Sequence, residues 1–171
     1  MLDLLVDYNL RWRSLMAICE RLKNYLDSNG VKYVTIIHST AFTSQEIAAS
    51  VHIKGKEFAK CVIVKSNGRF FMLVIPADHK VNFEKAKGAL NVENLSLATE
   101  EEFRQLFPDC ETGSMPPFGN LYDVPVYADE KLRANEEISF NAGTHNDVVK
   151  MKMSDYVRLV NPIFCDLSEH L

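Results

Sequence analysis

Two apolar runs, Phe58 to Val64 (FAKCVIV) and Phe70 to Ile75 (FFMLVI), are separated only by Lys65-Ser66-Asn67-Gly68-Arg69. Asn-Gly supplies the positive-φ pair of a two-residue hairpin turn, so the runs are expected to pair antiparallel in a core. Every other element has to be arranged around that hairpin. With 171 residues, 47% of them apolar, the chain can bury such a core as one domain without covalent staples.

Before the hairpin, Trp12, Leu15, Met16, Cys19, Leu22 and Leu26 recur at three- and four-residue steps. That is the stripe of an amphipathic helix ending near Asn29-Gly30. Leu2, Leu4, Leu5 and Val6 ahead of it would suit a dimer contact. Tyr33 to His38 (YVTIIH) reads as a strand, and Thr43-Ser44-Gln45-Glu46 opens a short helix. After the hairpin, helices are expected over 82–90 and 99–107, the second with Glu100, Glu101 and Glu102 in its first turn and Pro108 as its stop. The stretch 110–120 breaks both periodicities and is a structured loop. Val124 to Tyr127, Glu137 to Phe140 and Val148 to Met153 are short strands, and Ser154 caps a terminal helix from Asp155 to Val160 closed by Asn161-Pro162. The expected fold class is α+β, a single domain with a mixed, mainly antiparallel sheet and surrounding helices. Residues 1–30 are read as a helical extension packed on a domain of 31–171.

Cys19, Cys61, Cys110 and Cys165 form no C-x-x-C pair, which excludes a readable zinc knuckle or dithiol motif and favours a reduced, cytoplasmic setting. Asp3 and Asp7 occupy the place where a secretory signal would be basic, and no apolar run approaches spanning length, so no membrane partner is expected. The formal charge of −4 argues against a generic nucleic-acid binder. Charge is uneven, however: from Lys54 to Lys87 there are eight bases and three acids, a local excess of +5 that leaves −9 elsewhere. Such a segment is either a solvated face or a surface that meets a phosphate backbone, with Lys54, Lys56 and Lys65 its candidate contacts.

Three places could carry chemistry. Lys60 interrupts FAKCVIV on the same face as Phe58 and Val62; its ammonium either snorkels to water or lines a pocket that needs positive charge. Gly113-Ser114-Met115-Pro116-Pro117 joins a conformationally free residue to two stiff ones. It is either a plain turn or a loop that aims a bare amide at a developing oxyanion. Phe140-Asn141-Ala142-Gly143-Thr144-His145-Asn146 is a turn whose histidine is either merely exposed or placed on a substrate. No G-x-S-x-G elbow, phosphate-cradling glycine loop, dinucleotide fingerprint or H-E-x-x-H is present.

In order, these three elements resemble those of the YbaK/prolyl-tRNA synthetase-associated editing family, over roughly residues 20 to 163. The resemblance rests on a lysine opening an apolar core strand (Lys60), a G-x-x-x-P loop (Gly113 to Pro117, then Phe118-Gly119) and a late G-x-H element (Gly143-Thr144-His145). It implies a trans-editing deacylase that hydrolyses the ester of a small amino acid mischarged on tRNA, commonly proline tRNA. By the same resemblance Lys60 anchors the tRNA 3′ end, Gly113 offers its amide to the ester carbonyl, and His145 helps to position the terminal nucleotide or the substrate. Ser114, Met115, Pro117, Gly143 and Thr144 then line the substrate site. The nucleophile would be water, or the substrate's own side chain in members acting on cysteine. No metal or cofactor is implied. A prolyl-tRNA synthetase is the implied protein partner, and the chain is expected as a monomer or weak homodimer. An aminoacyl ester is already activated, so orientation and oxyanion stabilisation can suffice without a protein nucleophile. The alternative from another class is a non-catalytic tRNA- or synthetase-binding module of the same fold.

Overall fold

A computed structural model describes residues 18–38 and 43–171. The expected dimer contact at Leu2 to Val6 and the stripe positions Trp12, Leu15 and Met16 lie outside them.

The hairpin forms as the sequence dictates. β2 (Phe58–Ser66) and β3 (Arg69–Pro76) pair antiparallel from Ala59↔Pro76 to Ser66↔Arg69. Asn67 and Gly68 take φ of 49° and 76°, the two left-handed positions of a type I′ turn. Around this pair the sheet runs β1-β8-β7-β2-β3-β6-β9, with β1 (Tyr33–Ile37), β6 (Val126–Asp129), β7 (Glu137–Asn141), β8 (Asp147–Lys152) and β9 (Ile163–Cys165). β1–β8, β8–β7 and β2–β3 are antiparallel; β7–β2, β3–β6 and β6–β9 are parallel. β5 (Ser96–Leu97) adds to β2, while β4 (His79–Val81) and β10 (Ser168–His170) form a separate ribbon. The expected α+β domain with a mixed, mainly antiparallel sheet is therefore what the chain forms.

Helices cover both faces, as alternation along the strands requires. On one face Ala59, Ile63, Met72, Val74, Phe140 and Val149 pack with Leu22 and Leu26 of α1 (Glu20–Ser28), Phe103 of α4 (Glu100–Leu106) and Tyr156 of α6 (Met153–Val160). On the other, Val64, Leu73 and Ile75 meet Ala86 and Leu90 of α3 (Phe83–Leu90), and Phe58 and Val148 meet Ile47 and Ala48 of α2 (Ser44–Ser50). Thr43 with Glu46, and Thr99 with Glu102, each close a capping box that satisfies two otherwise orphaned amides.

Several boundaries differ from expectation. β6 begins at Val126 rather than Val124, because Pro125 has no N–H for a ladder and contributes only its carbonyl, which accepts from Met72 N at 2.8 Å. The last helix starts at Met153, with Lys152 rather than Ser154 at its cap and no side-chain cap bond; β8 runs directly into it, and the Met153 amide is held by Glu136 O at 2.8 Å. That helix is not terminal, since β9 and β10 follow it. Neither these two strands, β4 and β5 nor the single helical turn α5 (Glu130–Arg133) is long enough to show a period. Among the described residues no helix is long and apolar enough to cross a membrane.

Candidate active site

The centre of the sheet has a gap. β7 pairs with β2 only at Phe58↔Ser139 and Ala59↔Phe140, and then turns away. On that side β2 next gains a strand-like neighbour at Ile63, whose carbonyl accepts from Ala98 N at 2.9 Å. The edge of β2 from Lys60 to Val62 therefore lies between two departing segments. Carboxyl ends of parallel strands that part in this way are where open sheets place ligands.

Lys60 stands at the gap, half-buried, with Nζ donating to Ala77 O at 3.3 Å. Burial lowers the pKa of its ammonium, an effect that nearby Asp78 partly opposes. Asp78 in turn holds His79 Nδ1 at 2.8 Å.

The turn leaving β7 meets the 110–118 loop through a ring of short bonds. Glu111 N donates to Gly143 O at 2.8 Å, and Gly143 N to Ser114 O at 2.8 Å. His145 N donates to Glu111 Oε2 at 2.8 Å, and His145 Nε2 lies 2.9 Å from Thr112 O. A carbonyl can only accept, so Nε2 carries the proton and the ring pins the residue next to Gly113. Gly113 has φ +85°, and a β-carbon there would lie 3.9 Å from His145 Cε1. Its amide donates to no acceptor among the described residues. The result is an unengaged N–H on an exposed residue of a loop fixed at both sides.

Gly113 and His145 are thus brought together, with Lys60 on the strand beside the turn that carries His145. The remaining sequence candidates have other surroundings. Ser114 is fully buried and bonds Glu111 O through Oγ at 2.8 Å; Met115 and Pro117 are buried beside Phe118, and Pro117 O accepts from Tyr156 Oη at 2.9 Å. Thr144 Oγ1 donates to Asp147 Oδ2 at 2.6 Å and accepts from Asn146 and Asp147 amides, which makes it the internal strut of the turn. Gly143, at φ +99°, lies against Cys19: a β-carbon would come within 2.7 Å of Cys19 Cβ. Gly143→Ala is accordingly expected to cost about 2–4 kcal/mol through strain and overpacking, read as a lower urea midpoint. An unchanged midpoint would contradict this packing.

Sequence reasoning missed Glu111 and Asp78, whose contacts come only from chain folding. It also missed a cluster behind Gly143. Cys19 Sγ donates to Asp109 Oδ2 at 3.0 Å, and the Cys19 and Cys110 sulfurs each lie 3.4 Å from Tyr122 Oη. The Cys110 thiol lowers the Cys19 pKa to about 7. Cys19, Asp109 and Cys110 are the one group among the described residues with donor atoms close enough to hold a metal, all within 4.8 Å. The Arg21 guanidinium, 3.4 Å from Asp109, already occupies that carboxylate.

Lys54, Lys56 and Lys65 do not share a patch. Lys54 and Lys56 are exposed ahead of β2, whereas Lys65 lies at its far end, paired with Glu102 at 2.6 Å. The linear charge excess is further offset by acids from outside the segment, in the pairs Lys80–Glu169 at 3.2 Å and Lys85–Asp166 at 2.9 Å.

The comparisons say to which family a chain of this fold belongs. Residues 38–159 match the aminoacyl-tRNA editing domain, and the chain belongs to that family. It is 35% identical over 106 residues to the proline–tRNA ligase of Bacillus subtilis, covering 61% of this chain and 19% of that protein. Against the proline–tRNA ligase of Bacillus mycoides it is 28% identical over 123 residues, covering 67% and 21%. The chain therefore spans about a fifth of the length of these relatives. The same fold occurs in a crystal structure of a candidate trans-editing enzyme for prolyl tRNA synthetase, with TM-score 0.78, 24% identity and coverage of 90% of this chain and 98% of that one. It also occurs in a scaffold used for epitope grafting, with TM-score 0.77, 20% identity and coverage of 91% and 99%.

Proposed function

We propose that the chain is a trans-editing deacylase that hydrolyses the ester of a small amino acid mischarged on proline tRNA. The observation that carries this reading is the unengaged Gly113 amide, fixed through Thr112 by His145 on the turn that leaves β7, the strand next to the one that carries Lys60. Water adds to the ester carbonyl, the Gly113 N–H stabilises the negative oxygen, and the acyl C–O bond then breaks. Free amino acid leaves, and the proton goes to the terminal ribose oxygen. Lys60 takes a phosphate or ribose oxygen of the 3′ end and so sets the carbonyl on the amide. His145 acts through the loop, as a positioning residue.

A panel of alanyl, cysteinyl, seryl and threonyl esters of proline tRNA tests this. Enzyme-dependent release of free amino acid from at least one is expected. Binding of the tRNA without release from any would instead mark a binding module.

The body of the tRNA is expected at Lys54 and Lys56, which form no ion pair among the described residues. Reversing both to glutamate should weaken tRNA binding about tenfold or more and flatten its salt dependence, with no change in melting. Equal affinity of the double variant would place the tRNA body elsewhere.

A further inference from the structure

Cys19, just ahead of α1, and Cys110, at the head of the Gly113 loop, are brought together by backbone bonds to one dipeptide of the turn leaving β7. Cys19 N donates to Ala142 O at 2.7 Å, and Glu111 N to Gly143 O at 2.8 Å. Gly143 adds no side chain to hold the two segments apart; a β-carbon there would lie 2.7 Å from Cys19 Cβ. The two sulfurs come within 4.8 Å of each other, and each is 3.4 Å from Tyr122 Oη. From such a separation, rotation of the side chains can bring the sulfurs to the roughly 2 Å of a disulfide.

The two thiols are unequal, and that inequality gives them an order of reaction. The hydrogen bond from Cys110, aided by one from Tyr122, brings the Cys19 pKa to about 7 against the opposing pull of burial and of Asp109. Asp109 shares its charge with the Arg21 guanidinium, 3.4 Å away, which also covers the Tyr122 ring at 4.5 Å. Cys110, bonded to the Cys19 sulfur, has its own pKa raised and stays a thiol. Burial raises the pKa of Cys61 and pushes Cys165 up to about 11, so neither competes as a thiolate. Cys19 is buried and Cys110 only partly exposed, which admits small reagents alone.

We propose that Cys19 and Cys110 are an oxidation site for a small hydroperoxide, which closes a reversible disulfide between the start of α1 and the Gly113 loop. The Cys19 thiolate attacks one peroxide oxygen; the O–O bond breaks, Cys19 becomes a sulfenic acid, and hydroxide leaves. The Cys110 sulfur then attacks that of Cys19, and its proton departs with the sulfenic hydroxyl as water. Two electrons have passed from the sulfurs to the peroxide oxygens. In a reduced compartment such a bridge is transient, opened again by a dithiol.

The test adds hydrogen peroxide in small excess to the wild-type chain, blocks the remaining thiols and maps the peptides by mass spectrometry. A peptide pair linked through Cys19 and Cys110 is expected, and dithiothreitol should abolish it. Its rate of formation should rise about tenfold from pH 6 to pH 8, as the Cys19 thiolate fills. Cys110→Ser should stop at a Cys19 sulfenic acid, trapped by dimedone, and Cys19→Ser should give neither product. The oxidised wild type should also show a higher urea midpoint than the reduced one, because the bridge joins residues about ninety apart in the chain. Absence of the linked pair, a bridge to Cys61 or Cys165 in its place, or a rate unchanged across this pH range overturns the proposal. So does a lower midpoint on oxidation, which would mean that the bridge forms only by distorting the fold. The wild-type mapping decides the matter even if a variant fails to fold, and no readout depends on deacylation.

Discussion

Lys60→Ala and Lys60→Arg are expected to fold and to lose deacylation by about a hundredfold or more, the scale on which misplacing a reacting group by an ångström is felt. Alanine removes the anchor for the 3′ end. Arginine keeps the charge but replaces a compact ammonium with a wide planar fork at a site already hemmed by Ala77 O. Stability should move the other way. Burial lowers the Lys60 pKa in the folded chain, so between the folded and unfolded values the unfolded chain holds more protons. Folding stability contributed by this group therefore rises as pH rises through that window and is lowest below it, where the half-buried ammonium is charged. Lys60→Met, which removes the charge and keeps the stem, should melt at or above the wild-type temperature at neutral pH while remaining inactive. Deacylation and melting measured together decide the matter: an active, folded Lys60→Ala protein would refute the anchoring role.

Gly113→Ala is expected to reduce turnover about a hundredfold, the usual consequence of losing one oxyanion donor, with tRNA affinity nearly unchanged. Space is not the obstacle, because the new methyl would meet only His145 Cε1 at an ordinary 3.9 Å. The obstacle is φ of +85°, a conformation that costs an L-residue roughly 1–2 kcal/mol and is relieved by rotating the very amide the reaction uses. Single-turnover rates set against tRNA affinity separate the two effects. Normal turnover would make the loop a surface turn.

The sequence was most legible where local chemistry decides the structure. Asn67-Gly68 specified the central hairpin, Thr43 and Thr99 specified helix starts, and the composition of 110–120 specified a loop. It was least legible where the partner is remote. Nothing near Cys110 says that Glu111 will hold the amide of His145. The charge of the lysine-rich segment depends on remote partners in the same way: a count along the chain cannot see Glu102, Asp166 and Glu169 arriving from elsewhere to pair with it. Ser154 was read as a cap because serine favours that place, but a strand that continues into its helix left the cap to Lys152.

The parallel contact between β7 and β2 also governs time. Joining 58–59 to 139–140 closes a loop of about eighty residues, and the gap that holds Lys60 does not exist until that closure is made. The entropy of so long a closure is spent before the contact returns anything, which places folding of such a domain nearer milliseconds to seconds than microseconds. A nascent chain that has not yet emitted its last strands can form the hairpin but not the site. The gap is thus acquired in one late step rather than by degrees.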